Sequence, residues 1–351
     1  MQCSGVRGLF WSKGESQQFM MFARNPVRFT LPSPAVFHRL IQSAFLIFCL
    51  YSGLKFYHFV LWMTGQSEIP VPRPPSVEAF LPIAALMGLR RLLEIGVWDV
   101  VHPAGLAIFL AALSMALLLR KGFCGYVCPV GLASGLLNHL GRKLNLSRVP
   151  GPRVDILLHA PKYALLAFFL YTVFVGMDLR AVERFSSNPY NFAADARMLA
   201  FFLDPSALTL MVLPGLAVFG VLLRSAWCRY LCPYGALLGL LSWAGPVRIR
   251  RDKDVCVQCA RCSASCPGGI PVHLKDDVRS PECVGCMRCQ SVCPVPECVT
   301  LRVGGRSLPF WSIGLGCVLL LLAVWLLADS QGLWHQNLPE NMLRMMYRQA
   351  F

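Results

Sequence analysis

The chain has 351 residues, 56% hydrophobic and only 15% charged, with a formal net charge of +15. Soluble globular domains carry about 25% charged residues, so an ordinary soluble enzyme is excluded, as are a disordered chain and a small disulfide scaffold. In so apolar a chain the basic excess points to cytoplasmic loops and anionic membrane lipid, not to nucleic acid, for which no binding motif is present.

The first 35 residues carry Arg7, Lys13, Arg24 and Arg28 without a continuous apolar run, so no cleavable signal is expected. Five spanning helices are predicted, over 40–62, 103–120, 156–176, 207–224 and 310–328. Each is near the roughly 20 residues that cross about 30 Å of hydrocarbon. The stretch 80–101 is interrupted by Arg90, Arg91, Glu94 and Asp99 and reads as an interfacial or re-entrant helix. With these spans, 23 Lys and Arg fall on the side of the N-terminus and 8 on the other. The N-terminus and the cysteine-rich insert are therefore expected in the cytoplasm, and the C-terminus outside a bacterial-type inner membrane.

Along the first span Tyr51, Lys55, His58 and Trp62 share one face. An intramembrane lysine suggests a quinone head-group or proton site at Lys55 and His58, against the plainer reading that Lys55 snorkels to the interface. His102 with Glu94 and Asp99 makes another candidate quinone site. No Cys-x-x-Cys-His motif for c-type haem occurs, and the scattered His58, His102, His139 and His159 show no paired spacing for b-type haem.

Twelve of the sixteen cysteines sit in four short motifs. The run Cys124-x3-Cys128-Pro129 recurs 104 residues later as Cys228-x3-Cys232-Pro233. Between 124–137 and 228–241 eight of fourteen positions match, among them Tyr126, Gly131 and Gly135. Each unit is one span, one cysteine motif and one short apolar helix, so the halves are expected to be parallel repeats about an axis near the membrane normal. Such an axis would bring Cys124, Cys128, Cys228 and Cys232 together. They would then form an additional metal or cluster site, act as redox thiols, or pack as small apolar residues.

Cys256-x2-Cys259-x2-Cys262-x3-Cys266-Pro267 is followed by Cys283-x2-Cys286-x2-Cys289-x3-Cys293-Pro294. This doubled spacing is the bacterial ferredoxin pattern for two 4Fe–4S clusters, in which the fourth cysteine of each run ligates the other cluster. Cys256, Cys259, Cys262 and Cys293 are thus assigned to one cluster, and Cys283, Cys286, Cys289 and Cys266 to the second. Structural zinc would use only two pairs and leave the third cysteine and the Cys-Pro unexplained. Cys298 falls outside the pattern and reads as a bystander thiol. Arg261, Arg279 and Arg288 lie close enough in sequence to favour reduced clusters or dock an acidic partner.

The two Cys-x3-Cys-Pro motifs at the ends of spans, the eight-cysteine insert and Arg39-Leu-Ile-Gln42 resemble the polytopic membrane polyferredoxins of the NapH, NosR and CcoG type over roughly residues 38–305. The flavin-binding domain of the NosR type and the immunoglobulin-like domain of the CcoG type have no counterpart, so the likeness is to the NapH-like core. The resemblance implies an inner-membrane electron carrier, linked to the quinone pool or a membrane redox subunit and to a partner iron–sulfur protein, cytochrome or reductase. The organisation expected is an N-terminal segment (1–38), a helical membrane core (39–249) with repeats at 103–141 and 207–245, a small α+β ferredoxin insert (250–305), and a last span with its tail (306–351). Two rival roles are a copper-ion reductase or assembly factor, for which Met345-Met346 is a weak pointer, and a cluster-bearing anchor subunit.

Overall fold

The computed structural model describes residues 33–349. The N-terminal segment assigned to the cytoplasm lies, up to residue 32, outside the described residues, as do Cys3 and the basic residues between Arg7 and Arg28.

Proline marks where the first five helices begin: α1 (Pro34–Thr64), α2 (Pro82–Ile95), α3 (Pro103–Leu118), α4 (Pro129–Lys143) and α5 (Pro152–Tyr171). At a first-turn position the missing N–H costs nothing and the fixed φ suits a helix. One π-helical turn extends α5 to Gly176. Short helices α6 (Leu179–Ser186) and α7 (Pro189–Phe192) lead to α8 (Ala194–Leu203) and α9 (Ala207–Leu222), and then α10 (Pro233–Ala244) follows. The insert contributes β1 (Val247–Arg251), α11 (Arg261–Ser265), β2 (Asp277–Val278), α12 (Arg288–Ser291), β3 (Val299–Val303) and β4 (Arg306–Leu308). α13 (Ser312–Ser330) and α14 (Glu340–Arg348) close the chain.

Among the described residues three helices are long and apolar enough to cross a membrane: α1, α5 with its extension, and α13. α8 and α9, bent by 79° at their junction, would make a fourth as a pair. The second predicted span is different. α3 has 16 residues, about 24 Å at 1.5 Å per residue, short of the hydrocarbon thickness. It is also buried in protein: Ala104, Leu106, Ala111, Ala112, Met115 and Ala116 are fully buried, with α2, α10 and α13 packed around it. The stretch predicted as interfacial or re-entrant holds the 14-residue α2.

The insert is built on an antiparallel sheet of order β2-β1-β3-β4. Val247 pairs with Val303 and Ile249 with Leu301, and all but Val303 are deeply buried. Side chains of this sheet share one apolar core with α3 and α13, so the insert is seated on the helical part and not tethered to it by a linker.

At the end of α1 away from the insert, charge is buried in a network. Arg73 donates to Glu78 at 2.5 Å and to Asp195 at 2.6 Å. Glu78 accepts the Gly105 amide at 2.8 Å at the start of α3. Tyr347 of α14 donates to Asp195 at 2.8 Å. Four separate segments are thereby pinned together. Tyr347→Phe removes a hydrogen bond to a buried charge and is expected to cost about 1.5–3 kcal/mol. Faster proteolysis of α14 in the detergent-solubilised protein, with α13 intact, is the measurement.

Candidate metal centre

The two insert cysteine loops have the same backbone at an offset of 27 residues. Gln258 and Gly285 have φ of 51° and 67°, and Ala260 and Met287 have φ of 56° and 52°. Left-handed residues thus flank the second cysteine of each run. α11 and α12 then begin directly after Ala260 and Met287 and carry Cys262 and Cys289.

Cys266, Cys283, Cys286 and Cys289 line one void together with Ile249, Ile270, Val272, Val278 and Met287. These are the four residues that cross-ligation groups together, in an apolar cage. The donor set therefore fits a 4Fe–4S cluster. Burial pushes the Cys266 thiol up to about 12 and Cys289 well up, so thiolates there need the charge of bound iron. Of the other four, Cys262 is buried and Cys256 and Cys293 are half-buried. Cys259 is exposed. The Gln258 amide and the Arg251 guanidinium hold Cys256 below the usual thiol range. Cys298 is buried, and its thiol donates to the Asp252 carbonyl at 3.7 Å.

The two Cys-x3-Cys-Pro motifs also share a local form. After α3 and α9 the chain makes a single π-helical turn, Phe123–Val127 and Trp227–Leu231. Cys128 and Cys232 are then extended, and Pro129 and Pro233 open α4 and α10. The Gly235 amide donates to Cys232 Sγ at 3.2 Å. A β-carbon at Gly131 would run into the Cys124 carbonyl, and one at Gly235 would lie 3.3 Å from the Cys228 carbonyl, which is why both motifs continue Pro-x-Gly. The short helices are exchanged: α4 packs on α9, and α10 on α3. Ser134 of α4 accordingly reaches Cys228 Sγ at 3.4 Å.

Cys124 and Cys228 open into a second void, lined also by His38, Gln42, Lys121, Ser134, Arg229 and Arg288. Cys128 and Cys232 lie close enough for their charges to act on Cys124. Among the described residues no three His, Cys, Asp or Glu side chains converge on a single-ion site. The two voids share a wall made of Pro267, Gly268, Glu282 and Val284. Gly125 lies so near Val284 that a β-carbon would strike its carbonyl, and Tyr126 donates to the Gly285 carbonyl at 3.0 Å.

Ionic contacts hold this junction. Glu282 pairs with Lys162, with Lys121 at 3.7 Å and with His159 at 3.7 Å. Burial alone would raise the Glu282 carboxyl, but Lys121 and Lys162 bring it below its ordinary value. Lys121 is disfavoured by burial and restored above its usual value by Glu282. Asp155 accepts from Arg229 at 2.6 Å and from Tyr230 at 2.6 Å. Lys162, predicted inside a span, therefore faces protein and not lipid.

The candidate quinone residues are not assembled into one pocket. His58 is exposed and Lys55 half-buried. His102 is buried, with Nε2 2.8 Å from the Asn191 carbonyl and Nδ1 3.9 Å from Glu78. Among the described residues no hydrogen bond or ion pair joins it to Lys55 or His58. Glu94 pairs with Arg90 at 2.8 Å, while Asp99 accepts the Val101 and His102 amides. Met346 is buried against Phe56 and Tyr347, while Met345 is exposed.

Family comparisons agree with this arrangement. A family model described as "4Fe-4S binding domain" matches residues 101–147 and 203–252, the two Cys-x3-Cys-Pro regions. One described as "4Fe-4S dicluster domain" matches 248–294. YccM of Escherichia coli strain K12, whose name assigns it to electron transport, is 36% identical over 318 residues, covering 88% of this chain and 89% of that one. The methylamine utilization ferredoxin-type protein MauN of Paracoccus denitrificans is 28% identical over 48% of this chain and 56% of its own length. The ferredoxin-type protein NapH of Escherichia coli K12 is 28% identical over 42% of this chain and 48% of its own. No solved structure matches. With its iron–sulfur domains, its candidate membrane spans and a relative matched over nearly the whole length, the chain belongs to the NapH/NosR-type family of ferredoxin-type electron-transport proteins.

Proposed function

We propose that this protein passes single electrons between the membrane, through the quinone pool or an adjoining redox subunit, and a partner oxidoreductase on the cytoplasmic side. The observation that carries the reading is the wall shared by the deep cysteine cage and the void between the Cys-x3-Cys-Pro motifs. Cys283, Cys286, Cys289 and Cys266 hold the inner 4Fe–4S cluster. Cys256, Cys259, Cys262 and Cys293 hold the outer one. Bound there, the clusters supply one-electron transfer at potentials set by charge, hydrogen bonds and exposure.

The chain's own residues set those conditions. The inner cage excludes water with isoleucine, valine and methionine. The outer site, with Cys259 at the surface, is where a soluble partner can approach. Cys124, Cys128, Cys228 and Cys232 form a third redox site on the membrane side of the wall, with Lys121 and Arg229 offsetting negative charge. The family description of these two regions as 4Fe–4S binding supports this, as does the clustering of their thiols. The basic bias of the loops supports a cytoplasmic insert.

Iron and acid-labile sulfide per chain after anaerobic purification, with EPR of the reduced protein, test the assignment. The expected result is more than about eight irons, falling back to about eight in Cys124→Ser and Cys228→Ser. Reduction of the clusters by added quinol, abolished in the same variants, is expected if the third site lies on the route. Full reduction in those variants would remove the paired motifs from it.

A further inference from the structure

Four arginines come together where the helical part meets the insert, and none of them meets a carboxylate among the described residues. Arg39 lies on α1, Arg142 in the last turn of α4, Arg224 just after α9 and Arg288 at the start of α12. α4 packs on α9, and α1 packs on both α4 and α12. The Arg142 guanidinium accordingly feels the charges of Arg288, Arg224 and Arg39. The Nε atoms of Arg142, Arg224 and Arg288 are buried without a hydrogen-bond partner. Like charges gathered at this cost imply an anion that belongs among them.

Their setting says which kind. α1 has 31 residues, about 46 Å at 1.5 Å per residue, so its ends outrun about 30 Å of hydrocarbon. Arg39, near the N-terminal end, falls at head-group depth. Beside the arginines the same elements expose large apolar side chains: Leu40 at 58%, Leu140 at 45%, Leu144 at 54% and Leu222 at 43%. A ligand that meets guanidinium at one end and leucine at the other is amphipathic. Arg224 and Arg288 lie near Cys266 and Cys286 and can offset cluster charge. No cluster cysteine acts on Arg142.

We infer that Arg39, Arg142, Arg224 and Arg288 bind the phosphate head group of an anionic phospholipid, whose acyl chains lie along the exposed leucines. Basic pockets between membrane helices on the cytoplasmic side suit such head groups. The inference does not depend on where the electrons go.

Native mass spectrometry of the full-length, cluster-loaded protein tests it, with phosphatidylglycerol and phosphatidylcholine supplied at equal concentration. Retention of phosphatidylglycerol over phosphatidylcholine is expected. It should weaken about fivefold per arginine in Arg39→Gln and Arg142→Gln, recover in Arg142→Lys, and persist in Arg306→Gln, whose arginine is exposed on β4. Unchanged iron content in each variant shows that the fold survives. Equal retention of the two lipids, or equal loss in Arg306→Gln, would overturn the site. Displacement by millimolar inorganic phosphate would overturn the lipid as its occupant.

Discussion

A Cys266→Ser variant is expected to lose the inner cluster and keep the outer one, although Cys266 belongs by sequence to the outer run. The residue lines the same apolar cage as Cys283, Cys286 and Cys289, and serine is a poor substitute for thiolate. Iron in the insert should fall by about half, with one of two reduced-state EPR signals gone. Cys293→Ser should remove the other signal. Pairing the variants makes the test sharp, since groups acting as a unit are not additive. Cys266→Ser with Cys283→Ser should lose no more than either alone. Cys266→Ser with Cys256→Ser should lose both clusters. The opposite pattern would mean that each run ligates its own cluster.

Glu282→Gln is expected to destabilise the protein by about 3–5 kcal/mol, the cost of leaving buried charge unpaired. The side chains of Lys162 and Lys121 are 0% and 2% exposed, and Glu282 pairs with both. Urea unfolding in detergent, followed by tryptophan fluorescence, should show the loss. Removing the charges together, as Glu282→Gln with Lys121→Met and Lys162→Met, should recover much of it, because replacing a whole buried ionic group with apolar residues is often nearly neutral. The carboxyl is held below its ordinary value. Its stabilisation is therefore complete above the unfolded carboxylate range near pH 4.3 and is lost as pH falls through the lower folded value.

Much of the insert was legible because its information is local. Eight cysteines at fixed spacing and two Cys-Pro steps within 38 residues point to the 4Fe–4S dicluster domain that the family model matches over 248–294. The Cys-x3-Cys-Pro pair was legible as a repeat, and Pro-x-Gly after each motif has a steric reason in the close approach of Gly131 and Gly235 to a preceding carbonyl. Hydropathy alone did not fix the number of spans, since an apolar run buried among helices, such as α3, reads like one facing lipid. The contacts of Glu282 with Lys121 and Lys162 lie 161 and 120 residues apart in sequence, beyond any periodicity.

The exchange of α4 and α10 between the two motifs bears on how the molecule can be divided. Each short helix covers the longer helix of the opposite unit, and Ser134 on one side faces Cys228 on the other. A fragment ending between the units would retain α3 without α10 and α4 without α9. Two apolar surfaces and a pair of thiols would be left with nothing against them. Half of the helical core is therefore not a smaller working version of the whole, and a lone half could complete itself only by finding a second copy.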